Sequence, residues 1–375
     1  MNASPSTRTR PSITRHRGPW LEIASGERRG PLAALARLGL AVLAPAYRAG
    51  LAVADLRFRL PGAVRRAPCP VVSVGNLTVG GTGKTPMVAY LARLVADMGR
   101  RPVIVSRGYG GAGGGPNEES LELERLAPGV PHIRNPDRWQ ALQDWTATNA
   151  CDLAILDDGF QHRRLARDLD IVLIDALRPF GFGHVLPRGL LREPLLALGR
   201  AGLVVITRAE LVGEADLRQI KETLGRRVRP GTPILVARHL ATGILAANGS
   251  ERAADWLRGQ DVAAACGIGN PEAFHRTLEH LGARVRLFDI FPDHYAYTRA
   301  DLDRLAAAAQ AAGVKTLVTT GKDFVKWRPI LGARGEPPAT EVVAVEVAFR
   351  LAEGEQTLRR QIVALLPGLP GLGDR

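Results

Sequence analysis

The chain has 375 residues, enough for two domains with buried cores at roughly 100 to 200 residues per domain. Hydrophobic residues make up 46% and charged residues 23%, a balance that excludes a wholly disordered, collagen-like or multi-span membrane chain. Net charge is +13, and residues 1–66 carry most of it: twelve arginines, no lysine and the acids Glu22, Glu27 and Asp55 give +9, leaving +4 for the rest. Such a basic segment suits a polyanionic surface, either nucleic acid or anionic lipid.

The first thirty residues, rich in Ser, Thr, Pro and Arg, read as a flexible basic arm. Residues 31–66 follow as an apolar helical region with sparse charge. Its longest uncharged run, Leu38 to Tyr47, is ten residues, short of the roughly 20 that cross a bilayer. At about 100° per residue Arg37, Arg48 and Asp55 fall on one stripe opposite a broad Leu/Ala/Val surface. That pattern fits a helix lying in a membrane interface or one packed on the domain core, with a kink expected at Pro45. The apolar run starts too far from Met1 for a secretory signal.

From Pro70, the runs PVVSVG, RPVIVS, CDLAILDD, LDIVLIDA and LVVITR alternate with helical patterns. Continuous apolar runs fit parallel strands buried on both faces, so residues 67–230 are expected to form a doubly wound α/β domain. Residues 231–375 begin with TPILVARHLATGIL, an extended connecting ribbon. Four further strand-like runs alternate with helices after it, which predicts a second, smaller α/β domain. Cys69, Cys151 and Cys266 are widely spaced and support neither a disulfide framework nor a zinc site, which favours a reducing compartment. The one low-complexity stretch is GYGGAGGGP at 108–116.

The sharpest signal is VVSVGNLTVGGTGKTPMVAYLARLV, a strand, a glycine-rich turn and a helix opening on GKT. It reads as the P-loop of a P-loop NTPase. Thr78, Val79, Gly80, Gly81, Thr82 and Gly83 would direct main-chain N–H groups at phosphate oxygens, at the positive end of the helix dipole. Lys84 would reach the β- and γ-phosphates and Thr85 would hold Mg²⁺. Thr78 stands where the usual pattern has its first glycine. Asp157 and Asp158, ending the apolar strand CDLAILDD, are the candidate acidic metal ligands, with a solvated Asp-Gly turn as the alternative. Asp175 reads as a weaker, structural repeat of that signal. Arg138 and Arg192 could bind phosphate bidentately on nucleotide or sugar, or form surface ion pairs.

Seven ordered blocks resemble the tetraacyldisaccharide 4′-kinase family: GNLTVGGTGKTP, SRGYGG, DDGFQHRRLARDLDIVLID, LPRGLLREP, GIGNPEAF, FPDHYAYT and TGKDFVK. The resemblance accounts for Thr78, since the family also lacks that glycine. It implies transfer of the γ-phosphoryl group of ATP, with Mg²⁺, to the 4′-hydroxyl of a lipid A precursor disaccharide. The implied setting is the cytoplasmic face of the inner membrane, with peripheral attachment to anionic lipid. Nucleic acid is then not an expected partner, and a monomer is the expected state. Gln161 and His162 match family positions near nucleotide and substrate. The family's proton acceptor, an Asp working with the first His of a DHH block, maps onto Glu118 and His294, with Tyr295 in place of the second His. Lys322 and Asp323 read as structural, at the domain hinge.

Two other readings stay open. A P-loop GTPase or metal-delivery NTPase acting as a nucleotide switch would carry [NT]-K-x-D after LVVIT, where this chain has Thr207, Arg208, Ala209 and Glu210. A membrane-surface scaffold with a vestigial site would not need Lys84, Thr85 and both aspartates.

Overall fold

The computed structural model describes residues 12–14, 19–108, 118–332 and 340–366. In chain order these form β1 (Ser12–Thr14), α1 (Pro19–Ser25), α2 (Pro31–Leu56), β2 (Val71–Asn76), α3 (Lys84–Asp97), β3 (Pro102–Ser106), α4 (Glu118–Leu126) and β4 (His132–Arg134). Next come α5 (Arg138–Thr146), β5 (Leu153–Asp157), β6 (Leu169–Asp175), β7 (Leu203–Thr207), α6 (Glu214–Gly225), β8 (Ile234–Ala246), β9 (Glu251–Arg252) and β10 (Asp261–Cys266). The chain closes with α7 (Pro271–His280), β11 (Arg284–Ile290), α8 (Arg299–Ala311), β12 (Thr316–Thr320), α9 (Gly321–Gly332), β13 (Glu341–Glu353) and α10 (Glu355–Leu365). Contacts divide the chain into two units: one of 1–18 and 241–348, the other of 19–240 and 349–375.

The larger unit is built on parallel strands in the order β8-β7-β6-β2-β5-β3-β4. The central strands are buried along their whole length, as their continuous apolar runs require when helices cover both faces. Alternate residues divide between the faces: Val72 and Val74 pack with α3 and α10, whereas Val71 packs with α5. The chain leaves β2 toward β3 on one side, then returns and continues through β6 and β7 on the other. The turn after β2 therefore lies at the topological switch point, where doubly wound sheets bind ligands.

The smaller unit has the parallel order β1-β11-β10-β12-β13, with β9 antiparallel to β8. Val262, Ala264 and Cys266 face α7, and Ala263 and Ala265 face α8 and α9.

Three sequence expectations change. Ser12–Thr14, in the arm read as flexible, pairs with Leu287–Asp289, and α1 follows from Pro19. The chain passes between units inside β8 and β13, so residues 349–366, read with the second domain, pack with the larger one: Leu358, Ile362 and Leu366 are buried against α3. α2 is one 26-residue helix continuing through Pro45, long and apolar enough to cross a membrane by length and composition. Its side carrying Arg37 and Asp55 is half-buried, while Leu32, Leu35, Leu38, Val42 and Val53 are exposed. Cys69 and Cys151 also meet, Sγ to Sγ at 3.0 Å as free thiols, because they precede neighbouring parallel strands at matching register.

Candidate active site

The site begins where β2 ends. Asn76 is fully buried, and its amide donates to Thr78 O at 2.8 Å, folding the chain sharply into the turn 77–83. Gly80 and Gly83 have φ of 106° and 86°, a region that costs an L-residue with a Cβ, and α3 starts immediately at Lys84. A Cβ on Gly83 would also lie 3.0 Å from the His239 ring. Thr207 Oγ1 donates to Thr82 O at 2.9 Å, tying the turn to the end of β7. The result is a glycine turn on a helix N-terminus, with Lys84 and Thr85 in the first turn of a 14-residue helix.

Asp157 and Asp158 arrive from β5, whose register puts Asp157 beside Val74. Gly159 N–H donates to Val74 O at 3.1 Å, closing the acidic turn against β2. Asp158 adopts φ of 51°, outside the region non-glycine residues favour. Its carboxylate lies 3.7 Å from Lys84 Nζ and accepts from Arg192 Nη1 at 2.8 Å. Burial pushes the Asp158 carboxyl up, but Lys84 and Arg192 outweigh it and hold the group below the usual range. It is an anion throughout neutral pH.

Arg192 also reaches Gln161 Oε1 at 3.4 Å, and Gln161 Nε2 donates to Asn76 O at 2.9 Å. Lys84 Nζ reaches Asn76 Oδ1 at 3.5 Å. The structure thus gathers Lys84, Asp158, Gln161 and Arg192 around Asn76. His162 follows, with burial first and Arg138 second lowering its pKa to about 4, so it is neutral at pH 7.

Two site expectations are corrected. Arg138, read as a phosphate binder or a surface ion pair, is buried, and its guanidinium donates to the main-chain carbonyls of Asp157 at 3.0 Å and Asp158 at 3.4 Å. It anchors the acidic turn from beneath. Val79 N–H, counted among the phosphate donors, donates instead to Leu190 O at 2.8 Å. Asn76, Thr207 and His239 were missed as site residues. Asn76 stood inside the GNLTVGG block, but nothing marked the other two, which come from strands distant in sequence.

Glu118 opens α4; its side chain, like residues 109–117, lies outside the described residues. His294 belongs to the smaller unit, on the loop after β11, with φ of 61°. Its N–H donates to Asp293 Oδ1 at 3.1 Å, and Asp293 pairs with Lys322 at 3.4 Å. Lys326 Nζ donates to Tyr295 O at 3.0 Å, and Asp323 is fully buried, accepting from Gly267 N–H and Thr320 Oγ1. α9 thus holds the His294 loop, and Asp323 fixes the turn after β10. Asp175 is ion-paired with Arg208 at 2.6 Å, as its structural reading expected.

The chemistry of this arrangement is that of phosphate binding: a helix N-terminus and the side chains of Lys84 and Arg192 beside hard carboxylate and hydroxyl oxygens. A family model described as tetraacyldisaccharide-1-P 4′-kinase matches residues 36–366. The chain belongs to the tetraacyldisaccharide-1-P 4′-kinase family. Among curated members, the tetraacyldisaccharide 4′-kinase of Anaeromyxobacter dehalogenans strain 2CP-1 is 41% identical over 362 residues, covering 91% of this chain and 93% of its own. That of Geobacter metallireducens is 41% identical over 317 residues, covering 80% and 87%. The crystal structure of the Aquifex aeolicus member LpxK in complex with ATP superposes with a TM-score of 0.63 at 28% identity, covering 88% of this chain and 99% of that one. Membership in this kinase family favours the lipid kinase over the nucleotide switch. The residues after β7 agree: Arg208 is engaged by Asp175, and Glu210 Oε2 accepts from His239 N–H.

Proposed function

We propose that the protein transfers the γ-phosphoryl group of ATP to the 4′-hydroxyl of a tetraacyldisaccharide 1-phosphate, a step of lipid A synthesis. The observation that carries the reading is Lys84, Arg192 and Asp158 set around a glycine turn at the α3 N-terminus. The main-chain N–H groups of residues 80–85 cradle the β- and γ-phosphates, and Lys84 leaves Asp158 to neutralise charge developing on the transferred group. Arg192, bridging Asp158 and Gln161, is placed to follow the same phosphate. Arg138 keeps the acidic turn in position through the carbonyls of Asp157 and Asp158.

The oxygen donors Thr85, Asp157 and Asp158 fit Mg²⁺, a hard cation that binds oxygen, and they sit on the helix start and strand end that flank the phosphate turn. Bound there, Mg²⁺ would offset negative charge on the phosphate oxygens. Glu118 and His294 are the residues we assign to accept the hydroxyl proton, a carboxylate and an imidazole both being side chains that can act as general bases. In-line positioning supplies the rest of the rate.

The exposed apolar side of α2 and its neighbouring arginines support peripheral attachment to anionic lipid on the cytoplasmic side, where the acceptor's acyl chains are presented. The chain acts there as a monomer, without nucleic acid.

Purified protein incubated with ATP-Mg²⁺ and an acylated glucosamine disaccharide 1-phosphate in detergent micelles is expected to yield the bisphosphate. Lys84→Ala is expected to lower kcat by about 10³-fold or more, as for loss of a charge clamp on the transferred group. ATP binding without bisphosphate formation would refute the kinase reading.

A further inference from the structure

The segment 185–193 is bonded along both edges. On one side it joins the N-terminal helices: Trp20 Nε1 donates to Pro187 O at 2.9 Å, Arg188 Nη1 donates to Ala24 O at 3.0 Å, and Tyr47 Oη donates to Arg192 O at 2.9 Å. At the far end of α2, Asp55 pairs at 2.8 Å with Arg163, which also holds the buried Glu193 at 3.0 Å. On the other side the segment joins the phosphate turn. Val79 N–H donates to Leu190 O, Thr78 bridges to Leu191, and Arg192 N–H donates to Leu77 O at 2.7 Å.

The two edges meet at Arg192. Its carbonyl is held by Tyr47, its N–H by the phosphate turn, and its guanidinium by Asp158 and Gln161. Tyr47 is itself half-buried, packed with Ala44 against the cluster containing Leu191 and Leu198. The opposite side of the same helix exposes Leu35, Leu38 and Val42. A helix whose outer side is apolar and whose inner side bonds the main chain of a phosphate-site arginine links its own seating to that site.

We propose that Tyr47 is a positioning residue: its hydroxyl fixes the main chain of Arg192, so that the seating of α2 sets the guanidinium on Asp158. The proposal rests on the kinase reading and adds to it a dependence of turnover on α2. Removal of the hydroxyl leaves the ring packing and every charge in place but frees the Arg192 carbonyl. The guanidinium then samples positions off Asp158, and the transferred phosphate loses a partner in the transition state more than in the ground state.

The test is a double-mutant cycle in the full-length protein, with ATP-Mg²⁺ and the acylated disaccharide 1-phosphate in micelles. Tyr47→Phe is expected to lower kcat about 3- to 10-fold, the scale of one lost hydrogen bond, with KM for ATP within about twofold. In the Arg192→Ala background, which keeps the carbonyl but lacks the guanidinium, Tyr47→Phe should change kcat by less than about 1.5-fold. Asp55→Asn, loosening the same helix from its exposed end, should reproduce the kcat-specific loss at smaller size. An equal fold-loss in both backgrounds would make Tyr47 a general packing residue and overturn the proposal. So would a Tyr47→Phe enzyme with wild-type kcat. Failure of the kinase reading is distinguishable, because then the wild-type protein makes no bisphosphate.

Discussion

At the scale of single residues, the contiguous strings around Lys84 and the Asp157–Asp158 pair were the most legible, and the fold brings Lys84 Nζ within 3.7 Å of the Asp158 carboxylate. Arg138 was less legible, open between a phosphate contact and a surface ion pair, because a guanidinium looks the same in sequence whatever it meets; the fold buries it on the Asp157 and Asp158 carbonyls. Burial also leads to a pH prediction. His132, His162 and His239 are lowered to about 4, 4 and 3, chiefly by desolvation of the charged form. Folded values below the unfolded value of about 6.5 mean that the unfolded chain binds more protons in between. Stability should therefore be flat above pH 7 and fall as pH drops from 6.5 toward 4. Urea midpoints measured from pH 7.5 to 5 should show this decline, and His132→Asn should reduce its slope; an unaltered slope would mean His132 is not among the titrating groups.

At the scale of elements, strands announced themselves through continuous apolar runs, and α3 through the phosphate turn that starts it. α2 was harder. Arg37, Arg48 and Asp55 read as one stripe, but only the packed structure shows that Arg37 and Asp55 are half-buried, Asp55 on Arg163, while Arg48 is exposed and Leu35, Leu38 and Val42 face out. A helix turned the other way would bury the leucines and have no reason to meet a membrane. We predict that Leu35→Glu with Leu38→Glu abolishes sedimentation of the protein with anionic vesicles, since each change places a carboxylate on the apolar side. Wild-type binding should also weaken between 0.1 M and 1 M salt, as the Debye length shortens from about 10 Å to 3 Å. Unchanged sedimentation of the double variant would remove α2 as the anchor.

For the whole molecule, the chain order misleads about which residues share a core. The sequence was divided at residue 230, yet the closing segment of β13 and α10 returns to the P-loop unit, where Leu358 is fully buried among Val72, Leu91 and Leu235. Leu358→Ala should cost about 2 to 5 kcal/mol by removing packed methyl groups and leaving a cavity. The measurement is chemical unfolding followed by a probe in the P-loop unit. A loss below about 1 kcal/mol would show that α10 adds little to that core.

The α/β class, the parallel sheet, the P-loop and its acidic partner strand were determined by sequence alone, because each rests on local periodicity or on a motif whose residues act through their own backbone. Which side chains meet around the phosphate turn was decided only by tertiary structure. Asn76, Gln161, Arg192 and Tyr47 come from four separate segments, and their hydrogen bonds exist only once β2, β5 and α2 are brought together. Directional bonds between distant segments leave no periodic trace in a chain; only folding, which sets their distances, reveals them.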